Sequence, residues 1–293
     1  MQAEIISIGD ELLLGQTINT NASWMSEQLA LIGINTIQVT TIADEEAHII
    51  ESLNHAIKRA DVVLITGGLG PTKDDITKKC LAEYFKTELV MNELVLAKVV
   101  DYFESRGREV LQVNREQALL PANAKMIPNE LGTASGMWFD KDEKIVVSMP
   151  GVPYEMKAMM QESILPRLKN ENSKLYFGMV YTQGIGESKL AELIQPWEER
   201  IEKAGLKLAY LPSPGLVKLR ITSTEGDTIM VDELCRELKQ HFPKLVYSLN
   251  TFSLAKVLGE ILKYSSSTVA TVESCTAGSL SAMITSVPGA SEY

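Results

Sequence analysis

Cysteine is scarce in this chain: Cys80, Cys235 and Cys275 are the whole supply in 293 residues, odd in number and far apart. That pattern fits neither a disulfide framework nor a zinc site, so a reducing cytoplasm is the expected compartment. Long apolar runs are lacking too. No stretch approaches the roughly 20 residues that span a bilayer. The N-terminus, Met1-Gln2-Ala3-Glu4, has no basic region followed by an apolar block, so no secretory signal and no membrane partner are expected. Positive charge is in deficit, with 28 Lys and Arg against 38 Asp and Glu and a formal net charge of −10. Phosphate backbones are held by concentrated basic side chains, so no nucleic-acid partner is expected. The acid excess is uneven: residues 1–170 carry 16 basic and 24 acidic side chains.

What is present suits a soluble globular protein, 45% hydrophobic and 23% charged. The length accommodates two domains and the start of a third. Apolar runs at Ala3–Ile8, Asn35–Ile42 and Asp61–Ile65 read as strands, separated by helical patterns over Ala22–Leu31 and Glu45–Lys58. Strand and helix alternating through short links predict an α/β fold with a doubly wound, mostly parallel sheet. Residues 92–120 read as helical, and Gly136–Phe139 and Lys144–Met149 as two strands around an acidic turn. From Lys174 the pattern shifts to a small α+β domain, with strands at Tyr176–Thr182, Leu206–Leu211, Val217–Ser223 and Lys244–Ser248. Its helices run from Glu187 through Ile194, around Trp197–Ala204, and over Thr228–His241. A helix at Phe252–Leu262, a strand at Thr268–Val272 and a turn into a further helix then read as the start of a third α/β domain. The expected domains are 1–170, 171–250 and 251–293, the last too short to form a core alone.

The most informative stretch is Thr66-Gly67-Gly68-Leu69-Gly70-Pro71-Thr72-Lys73-Asp74-Asp75-Ile76-Thr77. It follows a buried strand and leads into a helix whose Ile76, Cys80, Leu81 and Tyr84 share one face. Gly67, Gly68 and Gly70 allow close backbone approach, and a helix start offers free N–H groups to an anion. Asp74 and Asp75 would repel a phosphate unless a divalent metal lay between, so the pattern points to a metal-assisted phosphate site. An ordinary turn whose acids cap a helix also fits. Pro150-Gly151-Val152-Pro153 repeats the strand–turn–helix pattern and could close over a ligand. Gly184 and Gly186 fit either a weak phosphate loop or tight helix entry.

Gly9-Asp10-Glu11-Leu12, the Thr66–Asp75 loop and Met149-Pro150-Gly151-Val152-Pro153-Tyr154-Glu155-Met156, in that order, closely resemble the competence/damage-inducible CinA family along the whole chain. The resemblance implies a molybdopterin-binding (MoCF)-like first domain, a small KH-like second domain and the opening of a nicotinamide-nucleotide amidase domain. It implies hydrolysis of a dinucleotide, ADP-ribose, to AMP and ribose 5-phosphate with a divalent metal ion (Mg or a transition metal), and a homodimer. Asp74, Asp75 and Asp10 are the expected metal ligands, with Asp10 or Glu11 as an alternative general base. Gly67, Gly68, Gly70 and Thr72 would hold phosphate oxygens, with Pro150 and Gly151 on the facing wall. Lys73 fits either a phosphate contact or a solvated side chain; Asn19 and Asn21 fit substrate contacts, and Asn21 equally a helix cap. In Glu273-Ser274-Cys275-Thr276-Ala277-Gly278 the resemblance makes Ser274 the amidase nucleophile, and Cys275 reads as a small buried packing residue. With so short a third domain, no amidase activity is expected. Nucleotidyl transfer to a pterin, or nucleotide binding without turnover, are the competing readings.

Overall fold

The computed structural model describes residues 1–169, 175–249, 251 and 253–293. The expected junctions at 170/171 and 250/251 and the expected helix start at Phe252 touch positions outside those residues. Two compact units emerge, Met1–Ser173 and Lys174–Tyr293.

In the first unit the chain runs β1 (Gln2–Ile8), α1 (Asp10–Leu13), α2 (Thr20–Leu31), β2 (Asn35–Ile42), α3 (Glu46–Arg59), β3 (Val62–Thr66) and α4 (Thr77–Tyr84). It continues through β4 (Leu89–Met91), α5 (Glu93–Glu104), α6 (Gln112–Arg115), a 3₁₀ turn at Glu116–Ala118, β5 (Leu119–Pro121), β6 (Lys125–Ile127), β7 (Gly136–Lys141) and β8 (Lys144–Met149). A last helix, α7 (Pro153–Met159), passes through a π turn at Met160–Ile164 into α8 (Leu165–Leu168). The six-stranded sheet is ordered β2-β1-β3-β8-β7-β6; β2, β1, β3 and β8 are parallel, β7 pairs antiparallel with β8, and β6 antiparallel with β7.

Side chains alternate faces along a strand, so each central strand builds two cores at once. Ile5, Val62 and Leu64 face α2 and α7, packing with Met25, Leu29 and Met156. Ile6, Val63 and Ile65 face the other way, with Ile49 and Leu53 of α3 and Leu81 of α4. Glu4, fully buried on β1, is neutralised by Arg59 at the end of α3, which donates through Nε and Nη2 at 2.7 and 2.9 Å. The expected single helical stretch over 92–120 is divided instead into α5, α6, the 3₁₀ turn and β5, because β5 finds β4 as an antiparallel partner.

The second unit holds β9 (Tyr176–Gln183), α9 (Glu187–Lys203), β10 (Lys207–Ser213), β11 (Leu216–Ser223), α10 (Thr228–His241) and β12 (Val246–Ser248), then α11 (Leu254–Tyr264) and α12 (Ser279–Thr285). Its antiparallel sheet is ordered β10-β11-β9-β12. Two helices were expected around Pro196, but α9 runs through it. Buried Leu190, Ile194, Trp197 and Ile201 keep one apolar face in the core on both sides of the proline, and Trp197 Nε1 donates to Leu234 O at 3.1 Å. The expected strand at Thr268–Val272 does not form. An extended segment becomes a strand only beside a hydrogen-bonding neighbour, and Val272 stands fully exposed. Ile284 of α12 is buried. No helix among the described residues is long and apolar enough to cross a membrane.

Candidate functional site

The carboxyl ends of parallel strands are where open α/β sheets bind ligands. Here β1, β3 and β8 end side by side, and their turns surround a cleft of about 470 Å³ lined by Gly9, Glu11, Asp44, Gly67, Gly68, Gly70, Asp74, Asp75, Pro150 and Gly151 among others. A larger hollow, of about 660 Å³, lies over α3 with none of these residues. It is an open helix face, so the strand-end cleft is the better candidate.

The turn after β3 is shaped by glycine. Gly67 and Gly68 take φ of +114° and +66°, and a Cβ on Gly67 would lie 2.1 Å from the Ile8 carbonyl oxygen. The turn therefore packs directly on the end of β1, and only glycine permits both the angle and the approach. Gly151 comes close from β8, with a built Cβ only 3.5 Å from Gly67 Cα. This contact is held by Asn21, whose Nδ2 donates to Gly151 O at 2.7 Å and to Thr66 Oγ1 at 3.4 Å, while Thr66 Oγ1 donates to Pro150 O at 2.9 Å. Asn21 is thus a brace between two turns; the cap of α2 is Asn19, which accepts from Ala22 N.

Asp74 and Asp75 lie in the loop ahead of α4, not in its first turn, and neither caps it. Asp75 turns back on its own loop, accepting from Thr72 N at 2.9 Å and from the Thr72 hydroxyl. Asp10 starts α1 and gives its backbone N–H to Asp44 Oδ2 at 3.2 Å. Among the described residues no three His, Cys, Asp or Glu side chains form a ready-made metal cage. Asp10, Asp74 and Asp75 are therefore not brought together as a ligand set, because Asp75 is engaged with Thr72. Glu11 lines the cleft, folded over Gly9; Thr72 and Lys73 do not line it.

Three residues not singled out in the sequence belong to this region. Asp44, after β2, lines the cleft, and its pKa is raised, first by burial and then by the charges of Asp10, Glu11 and Asp74, against the opposing hydrogen bond from Asp10. Lys78 of α4 is half-buried and donates to the carbonyls of Glu116 and Gln117 at 3.2 and 3.1 Å. Desolvation pushes its pKa down to about 8, with Glu116 and Asp75 pulling the other way. Gln117 is itself buried at the cleft wall. An acid after a strand and a lysine in the first turn of a helix were visible as residue types, but their convergence depends on strand order.

In the second unit the turn before α12 leaves Ser274 exposed, and Cys275 is exposed as well, not buried as expected. Glu273 accepts from Leu280 N and Ser281 N at 2.9 and 2.8 Å and from the Ser281 hydroxyl. These bonds hold its pKa down to about 2.

Residues 4–170 match a family described as a probable molybdopterin binding domain, 179–248 the damage-inducible protein CinA KH domain, and 251–293 the CinA C-terminal domain. A CinA-like protein of Cytophaga hutchinsonii is 43% identical over 99% of this chain and 71% of its own length. A putative competence-damage inducible protein of Caldicellulosiruptor saccharolyticus is 37% identical over 99% and 72%. The crystal structure of the protein CinA with unknown function from Thermoplasma acidophilum superposes with a TM-score of 0.51 and 31% identity, covering 55% of this chain and 94% of that one.

These matches correct two expectations. ADP-ribose hydrolysis is not supported: the first domain matches a molybdopterin-binding family, and the relatives are named for CinA and competence damage, not for a pyrophosphatase. The dismissal of the C-terminal segment falls too, because residues 251–293 are matched by the CinA C-terminal domain, so the exclusion of amidase chemistry is withdrawn. With close relatives aligned over almost all of its length, the chain belongs to the CinA-like protein family.

Proposed function

We propose that the first unit binds a phosphorylated pterin, or a nucleotide of similar shape, in the strand-end cleft. Its phosphates lie against the Gly67–Gly70 turn, and a divalent cation sits beside Asp44 and Asp74. The observation that carries this reading is the meeting of two glycine turns with Glu11, Asp44 and Asp74 in one cleft. Bare carboxylates repel phosphate, and the raised pKa of Asp44 reflects in part the crowding of these acids. Hard carboxylate oxygens suit Mg²⁺ or Mn²⁺. Magnesium is held by one or two carboxylates, waters and ligand phosphates rather than by an all-protein cage, which fits acids gathered without a complete ligand set. When bound, the cation would offset phosphate charge. The protein supplies the close backbone approach at Gly67 and Gly68 and the braced wall at Gly151. The match to a probable molybdopterin binding domain supports a pterin.

Calorimetry with 6-hydroxymethylpterin pyrophosphate tests the proposal. Binding is expected with Mg²⁺ present and is weakened by chelation or by Asp44→Asn. Affinity indifferent to both would refute the cation's place in the cleft.

A second activity rests on the C-terminal domain. Ser274 stands exposed on a turn that Glu273 ties to α12, and the family resemblance assigns this position the nucleophile of nicotinamide-nucleotide deamidation. Ammonia released from nicotinamide mononucleotide should disappear in Ser274→Ala; its persistence would remove Ser274 from the role. The exposed free thiol of Cys275 suits a cytoplasmic, reducing location.

A further inference from the structure

Glu155, in the first turn of α7, is 8% exposed and lines the strand-end cleft. Its one hydrogen-bond partner among the described residues is Asn129, whose Nδ2 donates to Glu155 Oε2 at 2.6 Å. Buried carboxylates are ordinarily paired with a cation or surrounded by donors, and a single neutral amide does neither. The second oxygen, Oε1, accepts from no described residue, and it is not sealed from solvent as the side-chain oxygens of Gln117 and Thr77 are. Both carboxylate oxygens lie against Gly132, where a Cβ would collide with them. Gly132, Thr133 and Ala134 line the cleft beside Glu155, so the open oxygen gives onto the cleft. Asn129 cannot turn over: its Oδ1 accepts from Leu131 N and Gly132 N at 3.1 and 3.0 Å, and its Nδ2 also donates to Ala134 O at 2.9 Å. Backbone N–H groups demand an oxygen there, so the amide nitrogen must face Glu155. Sheet order sets this carboxylate apart from the acids of the cation end. Asp44 follows β2 at one edge, whereas Glu155 follows β8, and Gly132 lies between β6 and β7 toward the other edge.

We propose that Glu155 determines ligand specificity by accepting hydrogen bonds, through the open side of its carboxylate, from an adjacent ring N–H and amino group of the bound heterocycle. This rests on the reading of the cleft as a phosphate site and adds the chemical class of the other end of the ligand. An aminopyrimidinone edge, as in a pterin, presents those two donors side by side. Oε1 is free to accept one, and Oε2 keeps a lone pair for the other beside Asn129. An adenine edge sets a donor next to an acceptor, so it makes one bond and turns a lone pair toward the carboxylate. Charge-assisted bonds are the stronger kind, and a site built to make them rejects analogues without the donor because the protein group is left unpaired.

Three probes, each with Mg²⁺ and the full chain, separate the ends of the site. They are inorganic pyrophosphate, 6-hydroxymethylpterin pyrophosphate, and the corresponding lumazine, in which a carbonyl replaces the 2-amino group. The wild type should bind the pterin compound roughly tenfold or more tightly than the lumazine. In Glu155→Gln the fixed Asn129 amide claims the new carbonyl, so the new NH₂ faces the cleft and an acceptor becomes a donor. That variant should lose roughly tenfold in affinity for the pterin compound, with its preference over the lumazine abolished, while pyrophosphate affinity stays within about twofold. Equal losses for pyrophosphate and the pterin compound would mean that Glu155 only supports the wall, and would overturn the proposal, as would unchanged pterin affinity in the variant. A wild type indifferent between the pterin and the lumazine overturns it without any variant, so the test stands even if Glu155→Gln does not fold. Binding of neither pyrophosphate nor the pterin compound would instead overturn the cleft reading itself, and this inference with it.

Discussion

Asn21→Ala tests whether the two glycine turns act as one unit. Asn21 is 8% exposed, and its Nδ2 is the brace that donates to Gly151 O at 2.7 Å. Deleting the amide removes a short hydrogen bond, with a net contribution of about 1 kcal/mol, and leaves the Gly151 carbonyl short of a donor at a further cost of about 1 kcal/mol. Two features moderate the loss. The bond from Thr66 to Pro150 O survives, and Asn21 Oδ1, itself without a partner, is removed at the same time. The expected destabilisation is therefore about 1–2 kcal/mol, which for a unit of this size lowers Tm by roughly 3–6 °C. Trp24 and Trp138 belong to the first unit and Trp197 to the second, so thermal unfolding followed by tryptophan fluorescence reports on the first unit once Trp197 is replaced by Phe. Ligand affinity should fall as well, because the Gly151 wall is no longer held against the Gly67 turn. Asn21→Asp should be worse than Asn21→Ala, since a carboxylate would face the carbonyl oxygen that now accepts. An unchanged Tm in Asn21→Ala, or an Asp variant as stable as wild type, would refute the bracing role.

The remaining expectations concern the same loop and its supports. Gly68→Ala places a Cβ 2.1 Å from Thr77 Oγ1 at a φ of +66°; it should cost about 1–3 kcal/mol, and Thr77→Ala in the same chain should recover only the steric part, as measured by urea midpoints. Asp75→Ala should loosen the loop by removing the acceptor for Thr72 N, whereas Asp75→Asn keeps one; equal ligand affinities for the two variants in calorimetry would contradict that account. For Lys78 the folded pKa, about 8, lies below the ordinary 10.5. The unfolded chain therefore holds more protons between those values, so stability should rise as pH rises through that window and the penalty of burying the charge is fully present below it. Urea midpoints should show this slope in the wild type but not in Lys78→Met, and parallel pH profiles would remove the assignment.

Much of the first unit is legible in the amino-acid sequence, because strands and helices there follow local rules. The apolar runs at 3–8, 35–42 and 61–65 form β1, β2 and β3, and Pro153 occupies the first turn of α7 as its fixed φ suggests. The thirteen residues from Gly9 to Asn21 are harder to read, since polar side chains there can cap, contact a ligand or brace. Asn19 caps and Asn21 braces, and nothing local separates those roles.

The sequence by itself determined the alternation of strand and helix and the glycine turn after β3, because hydrophobic period and backbone freedom are properties of neighbouring residues. Tertiary structure alone decided which side chains share the cleft. Asp44, Gly67, Gln117 and Gly151 come from four distant segments and meet because β2, β1, β3 and β8 lie side by side and Lys78 of α4 holds the Gln117 turn. It also decided that α9 continues through Pro196, since Ile194, Trp197 and Ile201 gain a common core by doing so. The segment at 268–272 remained without strand structure for the converse reason: a strand exists only by virtue of a neighbour, and local sequence cannot supply one.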